Sequence, residues 1–292
     1  MSDLLRGWDP TPSLRRHLQS LIGERSPVGT PEALRRAEAY VEEVFRGAGY
    51  PVTIEPIAIA RGNWSNVIAD RPGEPGRPLF VIGAHLDAVE GSPGADDNAS
   101  GVAALLTVAE KIAEIPAAKD PIALRFAAFN LEEWGMVGSA EHAEKIAAEG
   151  RAFAGMIALE MIGYADPSPR SQRYPPGFGV GRRKSGDFIS VVADTGSRPL
   201  MRRVAEAFRA QEGLPVETLG IPRAAALLIG ATLSDHSPFW QRGLPAVMVG
   251  DTAFYRNPNY HLPSDTLETL SIPFLEKVTR GLASFAASLL TG

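Results

Sequence analysis

Apolar residues recur along the chain at two spacings. At the helical spacing, Leu14, Leu18 and Leu21 mark a short helix over residues 10–22. Thr30-Pro31 opens a second helix, with a capping hydroxyl and Pro at the first helical position. It carries Leu34, Ala37, Val41, Val44 and Phe45 and stops at Gly47 and Gly49. Val102 to Ile115, Gly138 to Ala148 and Pro199 to Ala210 are further helices. A last helix places Phe274, Leu275, Val278, Leu282, Phe285 and Leu289 on one stripe. Between the helices lie short apolar runs bounded by turn residues, which read as buried strands. They are Val52 to Ala60, Asn66 to Asp70 pairing with it, Leu79 to Ile82, Ile122 to Phe129, Met156 to Met161, Phe188 to Ala193 and Leu244 to Val249. The RPGEPGRP stretch is a turn, Pro116 and Pro121 bracket a loop, and residues between Tyr164 and Asp187 form a loop dense in Pro, Gly and Arg.

Strands alternating with helices predict a three-layer α/β/α fold with a mixed, mostly parallel central sheet. The first strands, with no helix between them, pair antiparallel at one edge. No repeat, low-complexity segment or linker interrupts the pattern, so a single domain over residues 1–292 is expected.

Composition narrows the chemistry. A net charge of -5, without long runs of one sign, argues against nucleic acid as a partner. There is no cysteine, so disulfides, thiolate nucleophiles and Cys-ligated metals are excluded. A transition metal must be held by Asp, Glu and the five His. The N-terminus does not read as a secretory signal, and no apolar run approaches the roughly 20 residues that span a bilayer. The expectation is a cytoplasmic protein with no membrane contact.

The acids and imidazoles are placed unevenly. Three apolar strands end in His85/Asp87, Glu132/Glu133 and Glu160, and two loops add Asp96/Asp97 and His261. In open α/β sheets, ligands bind outside the carboxyl ends of the strands. Carboxylates clustered there need compensation, because burying unpaired charge is costly. A pair of divalent cations supplies it, and imidazole and carboxylate are ligands that Zn²⁺ takes. No G-x-S-x-G, H-E-x-x-H or Walker A pattern offers another chemistry. His17, on the first helix, reads as a surface or partly buried helical residue. His142, beside Glu141 and Glu144, reads as solvated.

The blocks HLD…GADDNASG, NLEEWGMVGS, LEMIGY, SDHSPFW and YHLPSDT, in that order from His85 to Asp265, resemble the M28 family of co-catalytic dizinc metallopeptidases, the bacterial aminopeptidase type. The resemblance implies two zinc ions per chain, with cobalt or manganese as substitutes. His85 and Glu160 would hold one, Glu133 and His261 the other, and Asp97 would bridge them. Glu132 would be the general base, Asp87 would hold the His85 imidazole, and Tyr260 would steady the oxyanion. The family's commonest residue at position 160 is Asp, so Glu160 is a departure of one methylene. The resemblance further implies a cis peptide at Asp97–Asn98 and a supporting role for His236, and Asp96 reads as fixing the loop or capping the following helix rather than binding metal. The implied substrate is a peptide with a free N-terminus, whose α-amine meets carboxylates such as Glu160. Its side-chain pocket is expected from residues 165–187, 221–233 and 252–259. Two alternatives share the fold: a single-zinc glutaminyl-cyclase-like aminoacyl transferase, and a non-catalytic binding module.

Overall fold

The computed structural model describes residues 5–58, 62–71, 76–116 and 120–290. Two helices open it, α1 (Thr11–Leu21) and α2 (Pro31–Gly47), followed by strands β1 (Val52–Pro56), β2 (Ser65–Asp70) and β3 (Leu79–His85). Then come α3 (Gly101–Ala113), β4 (Ala123–Phe129), α4 (Val137–Glu149), β5 (Phe153–Glu160), β6 (Ile189–Asp194) and α5 (Arg198–Arg209). The chain continues through β7 (Val216–Ile221), α6 (Arg223–Leu228), α7 (His236–Gln241), β8 (Ala246–Gly250) and α8 (Ile272–Leu290).

The eight strands form one sheet in the order β1-β2-β4-β3-β5-β8-β6-β7. Strands β4, β3, β5 and β8 run parallel at its centre. β1, β2 and β4 pair antiparallel at one edge, as the missing helices between the first strands predict. Every residue of β3 is buried, which is why its sequence is apolar throughout rather than alternating. Its side chains still divide by the two-residue period. Phe80, Ile82 and Ala84 join the core built with α1, α2, α3, α5 and α8. Leu79 and Val81 join the opposite core, with Ala143 and Ile146 of α4 and Phe239 and Trp240 of α7. Helices on both faces of the sheet make the three layers.

Several expectations need correction. β1 ends at Pro56; residues 59–60 of the longer expected strand lie outside the described residues, as do 72–75 of the RPGEPGRP turn and 117–119 of the loop before Pro121. Strand β7 was not evident in the pattern, because five of its six residues are only half-buried at the sheet edge and VETLGI mixes polar with apolar positions. The Thr30 hydroxyl does not cap α2; it donates to the Glu24 carbonyl (2.9 Å). His17 is fully buried, its Nδ1 2.8 Å from the Tyr40 hydroxyl. His142 is buried too, with Nδ1 2.8 Å from Glu55 Oε2. In both cases a polar partner from a distant segment makes burial affordable. Among the described residues no helix is long and apolar enough to cross a membrane.

Candidate metal centre

The sheet's register brings the first groups together. His85 and Glu160 end the adjacent parallel strands β3 and β5. His85 lies opposite Phe129, the last residue of β4. Beyond Phe129 the chain turns sharply, with Leu131 in the left-handed region (φ 60°). Two bonds fix this turn: Asp87 Oδ1 accepts from the Glu132 amide (3.0 Å), and Oδ2 from the Glu133 amide (3.2 Å). Both glutamates thereby stand at the strand ends beside His85. The Asp87 carboxylate lies 3.7 Å from His85 Nδ1, whereas the Asp87 main-chain carbonyl lies 3.2 Å from it. The carbonyl is the nearer of the two to the imidazole, the carboxylate adds an ion-pair contact to it, and the same carboxylate holds the two-glutamate turn.

Asp97 sits on the wide turn between β3 and α3, just before the cis peptide at Asp97–Asn98 that the resemblance implies. Asp265 holds this turn by accepting from the amides of Asp96 (2.9 Å) and Asp97 (3.1 Å). Asp96 fixes the surrounding loops: its carboxylate accepts from the Gly163 amide, the Ser100 hydroxyl and the Asn257 side chain.

Asp97 offers one oxygen to each of two groups. Oδ1 lies 3.3 Å from His85 Nε2, and Glu160 Oε2 lies 3.5 Å from the same nitrogen. Oδ2 lies 3.2 Å from His261 Nε2, and Glu133 Oε2 lies 3.2 Å from that nitrogen. Each triad keeps its ligand atoms within 4.8 Å of one another. Four ligands at about 2.0–2.1 Å in a tetrahedron stand about 3.3 Å apart, so these separations suit a shared zinc ion. Orientation agrees. Despite these short distances, Nε2 of His85, Nε2 of His261 and Oε1 of Glu133 hydrogen bond to no partner among the described residues. Buried polar atoms rarely go unpaired, and a cation in each triad would account for the two imidazole nitrogens. The donor set therefore fits two divalent ions.

The protein's own charges show what such ions would relieve. Burial pushes Glu132 well above the usual carboxylate range, and burial, then Asp97, pushes Glu133 up to about 7. Burial alone would raise Asp97, but the adjoining imidazoles of His261 and His85 hold it well below normal. Burial disfavours charge on His261, yet Asp97 and Glu133 raise it to about 10.

Other residues complete the surroundings. Ser234 donates to Glu160 Oε2 (2.7 Å). Asp235 is buried with both carboxylate oxygens unpartnered among the described residues. His236 packs edge-on against Trp240 and points Nε2 at the Ala231 carbonyl (2.9 Å). The Tyr260 ring stacks on His261 with centroids 3.8 Å apart. Sequence reasoning gave no role to Ser234, Asp235 or Asp265, although all three lie in the SDHSPFW and YHLPSDT blocks.

A cavity opens beside this cluster, with Glu160 and Tyr260 among its lining residues. Its walls come from residues 172–178 and 182, 229–233 and 252–255, joined by strand residues of β6, β7 and β8. Phe178, Phe188, Val192, Leu219, Ile229, Met248 and Phe254 make them largely apolar. Arg182 and Glu217 neutralise each other at 3.2 Å.

A mixed α/β sheet whose strand ends gather imidazoles and carboxylates beside an apolar cavity is an arrangement that suits the class of the metallohydrolases. Within that class the chain belongs to peptidase family M28, whose family model matches residues 66–286. It is 36% identical to the uncharacterized protein YfbL of Escherichia coli over 91% of this chain and 84% of that one. It is 29% identical to leupeptin-inactivating enzyme 1 of Streptomyces exfoliatus over 81% of this chain and 48% of that protein. Leucine aminopeptidase 1 of Fusarium vanettenii is 26% identical over 83% of this chain and 60% of its own length. The chain therefore spans only about half to three fifths of these last two. Among solved structures, the LapA aminopeptidase of Legionella pneumophila superposes with a TM-score of 0.78 at 19% identity, covering 97% of this chain and 72% of LapA. The glutaminyl cyclase of Macrostomum lignano superposes at 0.71 with 18% identity, covering 96% and 89%. At these identities the two structures share the fold.

Proposed function

We propose that the protein is a dizinc aminopeptidase that cleaves the N-terminal residue from peptides, with Glu132 as general base. The observation that carries this reading is Asp97, which turns one oxygen to each of two imidazole–carboxylate groups. His85, Glu160 and Asp97 would hold one ion, and Glu133, His261 and Asp97 the other. When bound, two such ions acidify a shared water toward a pKa of about 7 and polarise the scissile carbonyl.

The chain's own groups supply the rest. Glu132 belongs to neither of these two triads, although it stands with His85 and Glu133 in a third group of possible ligands, and burial raises its proton affinity. Such a carboxylate takes a proton from the attacking water and returns it to the leaving amine. Asp87 keeps Glu132 in reach by holding its amide. Burial raises the Tyr260 hydroxyl's pKa, so it stays protonated and can donate to a developing oxyanion. Glu160, which lines the cavity beside the candidate metal centre, suits the substrate's α-ammonium, and that would make the cut an exopeptidase one. The apolar walls suit an apolar N-terminal side chain, and the leucine aminopeptidase relative supports the same choice.

The test is zinc-loaded protein on a panel of aminoacyl-arylamides, with Glu132→Gln as control. Release from Leu and Phe substrates that falls at least 100-fold in the variant supports the reading. Activity surviving the substitution removes Glu132 as base, and turnover of N-blocked substrates alone removes the aminopeptidase reading. The cyclase neighbour gives the competing reading its weight. One zinc per chain with pyroglutamate formation from N-terminal glutamine would favour it.

A further inference from the structure

The segment before residue 66, which lies outside the family match, sends one side chain beneath the candidate metal centre. Arg25 is 2% exposed, and no carboxylate among the described residues pairs with it. All its bonds go to main-chain carbonyls. Nε donates to Leu86 (2.8 Å) and Nη2 to Gly94 (3.0 Å). Nη1 donates to Gly23 (2.7 Å), to Pro93 (3.1 Å) and to Leu21 at the end of α1. The main chain adds two bonds across the same seam: the Ala88 amide to the Arg25 carbonyl (3.2 Å) and the Gly23 amide to Pro93 (2.9 Å).

The acceptors have a common meaning. Leu86 directly follows His85, and Pro93 and Gly94 lie just before Asp97. One planar guanidinium therefore ties both ends of the loop that joins two ligands of the same triad. The packing is tight on the far side. Gly94 has φ +59°, and a Cβ there would meet the Asp97 carbonyl at 2.5 Å and Arg25 Nη2 at 2.9 Å.

We propose that Arg25 is a positioning residue of the metal centre: its guanidinium fixes the separation of His85 and Asp97 for the ion they share. This rests on the two-ion reading above. Burial disfavours its charge, and the carboxylates of Asp87, Asp265, Asp97 and Glu133 support it from beyond ion-pair distance. Its hydrogen bonds, all to main-chain carbonyls, give it a geometric hold on the loop besides its charge. A rigid fork spans Leu86 to Gly94, whereas a lysine ammonium donates from a single point.

Geometry and charge predict different variants. Zinc isotherms are measured on metal-free protein by competition with a chelator. The step that belongs to the His85 ion is identified as the one His85→Ala abolishes. Arg25→Lys keeps the charge and loses the span, and its His85 step should weaken about 10–100-fold, the usual effect of losing a residue that orients a ligand. Arg25→Met should weaken it at least as much. Wild-type affinity in Arg25→Lys overturns the proposal, and so does tighter binding in Arg25→Met, which would mark the residue as a mere repelling charge. Circular dichroism checks the fold of both. If neither folds, hydrogen exchange on the wild-type protein decides. The Gly23 and Ala88 amides should exchange more slowly with zinc than without, because clamp and ion stabilise each other; unchanged exchange overturns the proposal. A wild-type protein that takes up no zinc would instead sink the two-ion reading itself.

Discussion

Substituting Asp87 by Asn separates two roles for one carboxylate. If Asp87 orients the His85 imidazole through its side chain, the variant should lose the His85 ion. The distances weight it toward the turn: the carboxylate accepts the Glu132 and Glu133 amides at 3.0 and 3.2 Å and keeps a longer, 3.7 Å ion-pair contact with His85 Nδ1. The main-chain carbonyl that faces His85 survives substitution. In Asp87→Asn one of the two amides must face an NH₂ group instead of an oxygen. A hydrogen bond to a buried charged acceptor contributes about 1.5–3 kcal/mol. If that loss falls wholly on the placing of Glu132, it amounts to about 10- to 150-fold in rate. The assay is kcat on a Leu-arylamide, read beside zinc per chain. We expect kcat to fall within that range, with KM little changed and the His85 ion kept. Any zinc lost should be the ion held with Glu133 and His261. A variant that loses the His85 ion, yet turns over normally once saturated with zinc, would refute this assignment.

Ser234→Ala removes the 2.7 Å donor to Glu160 Oε2; the His85 ion should bind roughly tenfold more weakly in a chelator competition, and an unchanged isotherm would contradict that. His236 gives a pH test. Burial lowers it from 6.5 to about 4 in the folded protein. Between these values the unfolded chain binds the proton and the folded protein refuses it, so stability is lost as pH falls through this window. The gap corresponds to about 3 kcal/mol. Urea unfolding at pH 7 and pH 4.5, a range that covers most of this gap, should therefore lose about 2 kcal/mol more in wild type than in His236→Gln, and equal losses would remove His236 as the cause.

What could be read from the chain, and what could not, follows from where the information lies. The strand carrying His85 is apolar at every position because both its faces are buried, so its end and its histidine were easy to find. β7 sits at an edge with half-buried residues, and no alternation marks it. His17 and His142 were misread because the partners that make their burial tolerable, Tyr40 and Glu55, come from other segments. The ligand candidates share motifs with one another, but the residues that hold them do so through the main chain. Asp87 and Asp265 act on amides and Arg25 on carbonyls, and such bonds leave no local pattern. The wall segments of the cavity were expected correctly as segments, because loops at strand ends line such sites. Its individual walls were out of reach until the sheet order set β6, β7 and β8 beside them.

The central claim is that two ions share Asp97. Crystals grown with zinc and measured above and below the zinc absorption edge would test it without any assay. Two anomalous peaks should appear, one between His85, Asp97 and Glu160 and the other between Asp97, Glu133 and His261. A single peak, or peaks that leave either triad empty, would contradict the account.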